Sequence, residues 1–141
     1  MFFKKTVILL ITFMGIYGLA KSEISYEKDF NETQAVIESQ IQAFLDENAE
    51  LAYSYAAPLI KMKFNDPLQF MSMVKTYYEP VYNPKQFYFI DARYIEGAIY
   101  HQLQVISQQN ESFLATYSLI RDDGKWKISG CAVYPMQKQS I

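Results

Sequence analysis

The chain of 141 residues is poor in the residues on which many catalytic and metal sites depend. It has one cysteine, Cys131, and one histidine, His101, so no intramolecular disulfide can form and a zinc site is not expected. The five glycines form neither a phosphate-binding loop nor a nucleophile elbow. Lysines and arginines are scattered, and the net charge is −2, so there is no basic patch for nucleic acid. The sequence predicts no metal, no cofactor and no nucleic-acid partner.

The N-terminus has the layout of a secretory signal peptide. Lys4 and Lys5 precede an uncharged run over residues 6–20 that ends in the small residues Gly18 and Ala20. The run is shorter than the roughly 20 residues that a membrane-spanning helix needs. We therefore predict a signal peptide over residues 1–20, cleavage after Ala20, and an exported protein, periplasmic or secreted, with no stable membrane span. An uncleaved N-terminal anchor is the alternative.

Residues 21–85 predict three helices and one short strand. After a loose, polar lead-in over residues 21–30, a helix is predicted to start near Asn31, which can cap it. Asn48 can cap a second short helix, and Asp66 followed by proline is a strong start for a third. Between them, residues 60–64 alternate apolar side chains with lysines, which predicts an edge strand. The apolar stripe of the first helix consists of Ile37, Ile41, Phe44 and Leu45.

Residues 86–134 read as four consecutive strands, because apolar and polar residues alternate in four runs. Turn residues separate the runs, and turns this short join antiparallel neighbours. The turn sequences are Glu96-Gly97, Gln109-Asn110 and Asp122-Asp123-Gly124. The prediction is one α+β domain over residues 31–135 in the order α-α-β-α-β-β-β-β, followed by a polar tail at residues 136–141. Its antiparallel sheet of four or five strands packs against three N-terminal helices.

Residues 34 to 134 resemble the bacterial domain of unknown function family 4864. The resemblance is carried by Ser39-Gln40-Ile41-Gln42-Ala43-Phe44, Ala56-Ala57-Pro58-Leu59-Ile60, Phe70-Met71-Ser72-Met73-Val74 with Tyr78-Glu79-Pro80-Val81, and Asp123-Gly124-Lys125-Trp126-Lys127-Ile128-Ser129-Gly130-Cys131. The order of elements also looks like the nuclear transport factor 2-like cone that SnoaL-like proteins share. That resemblance implies a strongly curved sheet closed by three helices. The family brings no activity that can be carried over.

The cone fold class includes isomerases and dehydratases with an Asp or an Asp/His pair in an apolar cavity, so this resemblance directs attention to His101 and Asp91. His101 is in phase with Leu103 on its strand, and Asp91 is in phase with Phe89 on the strand before. We therefore consider His101 and Asp91 weak catalytic candidates on one face of the sheet. The alternative is that His101 is a core histidine and Asp91 pairs with Arg93 in solvent.

The aromatic residues supply candidates for a binding pocket, because apolar rings with a few hydroxyls are typical of small-ligand sites. The candidates for the pocket wall are Tyr53, Tyr77, His101 and Tyr117. Tyrosines equally suit a filled core or a dimer face. The sequence thus predicts an exported, non-catalytic module that binds a small apolar ligand or another protein, including a second copy through the sheet face. The alternative is a small cone-fold enzyme that transfers a proton on an apolar substrate with His101 and Asp91.

Overall fold

The computed structural model describes the backbone of residues 8–138 and the side chains of residues 25–138. The chain divides into two compact units, residues 1–31 and residues 32–141. Helix α1 (Ile8–Leu45) forms the described part of the first unit and opens the second. Lys4, Lys5 and the end of the predicted polar tail lie outside the described residues. In the described part of the chain, no helix combines the length and the apolar character that crossing a membrane requires.

The start of the first helix is corrected by the structure. Residues 21–30, predicted as a loose lead-in, are helical, and α1 does not begin at Asn31. The physical reason is that residues 19–57 contain neither glycine nor proline to interrupt a helix. The predicted stripe faces the core at Ile37, Ile41 and Phe44, which are at most 2% exposed, whereas Leu45 at the helix end is exposed.

Four shorter helices follow: α2 (Ala49–Ser54), α3 (Pro58–Lys63), α4 (Pro67–Tyr77) and α5 (Glu79–Tyr82). Of the three predicted caps, Asn48 and Asp66 are confirmed, whereas Asn31 lies inside α1. Asn48 accepts a hydrogen bond from the backbone N–H of Leu51 at 3.1 Å, and Asp66 accepts one from Gln69 at 2.9 Å. These side chains satisfy amides that have no partner within their helices.

The predicted edge strand at residues 60–64 is wrong, because this segment forms α3 and its C-terminal cap Phe64. A segment this short fits the spacing of apolar residues in a helix as well as that in a strand. Ile60 and Phe64 are four residues apart, so they lie on one side of a helix as well as on one side of a strand. Met62 distinguishes the two, since it is 75% exposed and does not face inward with its neighbours.

The four predicted strands are confirmed as one antiparallel sheet of order β1-β2-β3-β4. The strands are β1 (Gln86–Ile95), β2 (Ala98–Ile106), β3 (Ser112–Asp122) and β4 (Lys125–Pro135). The sheet is curved and unclosed, as expected of a cone-like fold. Two of its turns, Glu96-Gly97 and Asp123-Gly124, have positive φ at both central residues, and Asn110 in the third turn has φ 61°. Two positive φ values are typical of two-residue hairpins, so the turn sequences fix the register.

A β-bulge in β1 changes which residues share a face of the sheet. Phe89 pairs with Leu103, but the next pair is Asp91 with Gln102, so Ile90 is the extra residue. Leu103 is fully buried, whereas Ile90 is 55% exposed. Paired residues of neighbouring strands share a face, so the bulge moves Asp91 to the outer face, away from the inner face that holds Phe89. The expected phase between Asp91 and the preceding phenylalanines is therefore wrong.

The core of the second unit lies on the inner face of the sheet and among the helices. The inner face contributes Ile99, Leu103, Val105, Ala115, Tyr117, Leu119 and Ile128, each at most 3% exposed. A second cluster joins α1, α2 and α4 through Ala43, Phe44, Ala52, Phe70, Met71 and Val74. The helices thus cover one face of the sheet, and the side chains that bound any interior cavity come from both layers.

Candidate functional site

A cavity of about 290 Å³ lies between the short helices and strand β4. Its position follows from a connection between the segment before α3 and the edge of the sheet. The N–H of Ala57 donates to the carbonyl of Ile128, and the N–H of Ile128 donates to the carbonyl of Tyr55, both at 2.8 Å. This parallel bridge holds the start of α3 against β4.

Lys127 strengthens the same connection, because its Nζ donates to the carbonyl of Ser54 at 2.7 Å. That carbonyl is at the C-terminal end of α2, where a positive charge is favourable. Burial lowers the pKa of Lys127, and the nearby ammonium groups of Lys61 and Lys125 lower it further. The lysine therefore holds α2 against the sheet beside the cavity.

The cavity wall is mainly apolar. Helices α1 and α3 to α5, the C-terminal caps of α3 and α4, and strand β4 provide Phe44, Ile60, Phe64, Phe70, Met73, Val74, Tyr78, Val81 and Ile128. The aromatic rings also pack on one another, with Phe70 centred 6.1 Å from Phe44 and 6.3 Å from Phe64. An apolar wall interrupted by a few polar groups is the usual composition of a small-molecule site.

Tyr117 and Cys131 are two of the polar residues in this wall, and they face each other across β3 and β4. Tyr117 is 1% exposed, and its hydroxyl has no partner that meets hydrogen-bond geometry. Burial raises its pKa well above the ordinary value, and the neighbouring thiol raises it further. Burial likewise raises the pKa of Cys131 to about 12, against a smaller lowering by the tyrosine hydroxyl. Both groups therefore stay protonated at neutral pH, and the thiol is a poor nucleophile.

A more open apolar groove of about 510 Å³ adjoins the cavity. The two share four wall residues, Phe64, Met73, Tyr78 and Cys131. The groove continues along residues 132–134 of β4 and past Tyr77 of α4. The cavity thus adjoins a longer apolar surface along the edge of the sheet.

His101 lies elsewhere on the inner face, opposite Tyr117 on β3. It is 2% exposed, its Nε2 lies 2.7 Å from the hydroxyl oxygen of Thr33, and its ring meets Phe89 edge-on. Burial lowers its pKa, and the charge of Asp91 opposes that change. A neutral histidine that hydrogen-bonds a buried threonine between α1 and the sheet agrees with the interpretation of His101 as a core residue.

Asp91 pairs with Arg93 rather than with a buried base. The Nε of Arg93 donates to the Asp91 carboxylate at 2.8 Å, and the two side chains are 73% and 40% exposed. The bulge pairs Asp91 with Gln102 on the outer face, whereas Ala92 pairs with His101. The structure therefore does not bring the two catalytic candidates together on one face of the sheet.

Of the four candidates for the pocket wall, Tyr117 lines the cavity. Tyr77 is 77% exposed and lines only the groove. Tyr53 packs on Phe70 with ring centroids 5.6 Å apart and donates to the carbonyl of Phe64 at 2.6 Å, so it supports the wall from behind. His101 lines neither space.

Most of the apolar wall was not anticipated, because apolar helical residues predict a core without showing where its packing is incomplete. The alternation in the sequence did not indicate that Cys131 faces Tyr117, because Ile128 and Cys131 are three residues apart and share a face only through the extra residue, Ser129, in β4. Among the side chains that the structure describes, no group of three or more His, Cys, Asp or Glu residues could hold a metal ion.

Comparison with curated proteins gives no match to this chain. A family model does match, and it covers residues 26–141, which include α2 to α5, the whole sheet and the cavity described above. The chain therefore belongs to the family described as Domain of unknown function (DUF4864).

Proposed function

We propose that this protein is an exported, non-catalytic module of bacterial origin that binds a small apolar molecule in the cavity beside β4. The observation that carries the proposal is a cavity of about 290 Å³ whose wall is mainly apolar and holds few polar side chains. Moving an apolar molecule from water into such a space is favourable, so a neutral apolar ligand should bind there. The curved sheet under helices supports membership of the nuclear transport factor 2-like superfamily.

Two observations support the non-catalytic part of the proposal. Cys131 and Tyr117 line the cavity with raised pKa values, so neither is a ready nucleophile or base at neutral pH. His101 and Asp91 do not line the cavity. Export is supported by the charged start and uncharged run of residues 1–20, with cleavage after Ala20.

Calorimetric titration of the full chain with octanol, a neutral apolar probe, tests the cavity as a binding site. Met73 lines the cavity and is half-buried, so Met73→Trp should fill the space and abolish binding. Met62 is 75% exposed on α3 and does not line the cavity, so Met62→Trp is the matched control and should bind like the parent protein. Absence of octanol binding, or equal binding by both variants, would contradict the proposal.

The outer face of the sheet supports a second candidate role, association of two copies. One row across the four strands consists of Tyr88, Gln104, Leu114 and Tyr134, none of them charged. Tyr88 and Tyr134 are 51% and 62% exposed, and a two-fold dimer would place this row against its own copy. Sedimentation of the parent and of Leu114→Lys tests it. We expect a dimer that the lysine converts to a monomer, and a monomeric parent would refute it.

A further inference from the structure

The cavity and the groove together form a longer apolar path than the cavity alone. Phe64, Met73 and Tyr78 belong to the walls of both, so the two spaces adjoin at these side chains. The groove is lined by aromatic and aliphatic residues and Cys131, without a charged side chain. The cavity by itself has room for roughly ten water-sized groups. A linear ligand can therefore place part of its chain in the cavity and extend the rest along β4.

Lys63 gives this path a single charge. It is the one charged residue that lines the cavity in the described part of the chain, and no carboxylate lines either the cavity or the groove. Lys63 is exposed, and its ammonium makes no hydrogen bond or ion pair among the described residues. A cation at the boundary between an apolar space and water attracts an anionic group without requiring it to be buried.

We propose that the ligand is a single-chain aliphatic carboxylate, with its carboxylate at Lys63 and its chain in the cavity and groove. This inference rests on the proposed function, because it names the chemical class that the same cavity takes. A bulky or branched anion fits less well, since the enclosed part of the path is small and the open part is a groove. A cationic amphiphile is disfavoured by Lys63, and no acidic side chain in the wall would attract it.

The expected affinity has two contributions, one from the aliphatic chain of the ligand and one from its carboxylate. Each methylene that moves from water into the path should tighten binding about fourfold. The carboxylate should add a smaller gain, about threefold to fivefold, because Lys63 is exposed and its charge is screened. Affinity should therefore depend strongly on chain length and moderately on charge.

Calorimetric titration of the full chain with hexanoate, octanoate, decanoate and octanol tests the inference. We expect affinity to rise from hexanoate to decanoate and octanoate to bind more tightly than octanol. Lys63→Gln should remove the preference for octanoate over octanol. Lys75→Gln is the matched control, because Lys75 is exposed on α4 and lines neither the cavity nor the groove.

The outcomes separate the two proposals. If octanol binds as tightly as octanoate, or if Lys63→Gln keeps the preference for octanoate, the ligand class is wrong and cavity binding stands. If the affinity does not change with chain length, the path through the groove is wrong. If neither octanol nor octanoate binds, the proposed function itself fails, and the inference fails with it.

Discussion

The buried hydroxyl of Tyr117 leads to a stability prediction of unusual sign. Most substitutions in a protein core destabilise it, but Tyr117→Phe should stabilise the ligand-free protein. The hydroxyl is buried, no hydrogen bond to it meets the geometric criteria, and the neighbouring Cys131 thiol is a weak partner, so the hydroxyl loses its hydration on folding with little compensation. Removing it relieves about 1–3 kcal/mol of desolvation. The void left by one oxygen atom costs about 0.3 kcal/mol in return.

The expected net effect is a gain of about 1–2 kcal/mol in the free energy of unfolding. For a domain of this size each kcal/mol corresponds to roughly 4 °C in melting temperature. Thermal unfolding of the full chain, followed by circular dichroism or calorimetry, should thus show a melting temperature higher by about 4–8 °C.

Tyr53→Phe supplies a control of opposite sign. The Tyr53 hydroxyl donates to the carbonyl of Phe64 at 2.6 Å, so its removal should lower the free energy of unfolding by about 1 kcal/mol. The reasoning would be refuted if Tyr53→Phe destabilises the protein as expected but Tyr117→Phe leaves the melting temperature unchanged or lowers it. That result would mean that the Tyr117 hydroxyl is satisfied in the folded state.

Three further predictions concern other parts of the fold. Because burial lowers the pKa of His101 below 6.5, the unfolded chain protonates this histidine before the folded chain does, so the free energy of unfolding should fall as pH falls from 6.5 toward the folded-state pKa. Urea unfolding between pH 7.5 and pH 5 should show this loss and show less of it in His101→Gln, and an equal loss in both would exclude His101 as the cause. Asp66→Ala should lower the free energy of unfolding by about 1 kcal/mol, because it removes the cap of α4, whereas Asp66→Asn should retain most of that stabilisation. Chemical denaturation of both variants tests this prediction, and equal losses would argue against the cap. Cys131 is partly exposed in the wall of the groove, but because its pKa is about 12 its thiol should react with a thiol reagent at pH 8 far more slowly than free cysteine, and a rate equal to that of free cysteine would contradict the raised pKa.

The sheet was predictable because period-two alternation and turn residues act locally and agree with each other. Glu96-Gly97 and Asp123-Gly124 favour the positive φ values that two-residue hairpins need, and both turns occur where the sequence placed them. The bulge at Ile90 was not predictable in this way. One extra residue moves every later side chain of the strand to the opposite face of the sheet. Apolar residues lie on both sides of Ile90, so the alternation in the sequence gives no sign of this shift.

The site was less predictable than the fold, because a cavity forms where elements that are distant in sequence pack incompletely against one another. Ile60 and Phe64 satisfy strand and helix spacing equally, and only their packing over β4 shows that they form a wall. Tyr117 could be selected as a pocket residue from its phase on β3. Its lack of a hydrogen-bond partner could not, since that depends on which side chains α1 and β4 bring near its hydroxyl.

The most direct test of a ligand in the cavity is a titration of the full chain, labelled with ¹³C at its methionine methyl groups, with octanoate. Met73 lines both the cavity and the groove, whereas Met62 lines neither and is 75% exposed. We predict a saturable change in the chemical shift of the Met73 methyl group, no change at Met62, and weaker saturation in Lys63→Gln. An unchanged Met73 resonance at saturating octanoate, or equal changes at Met73 and Met62, would contradict the account.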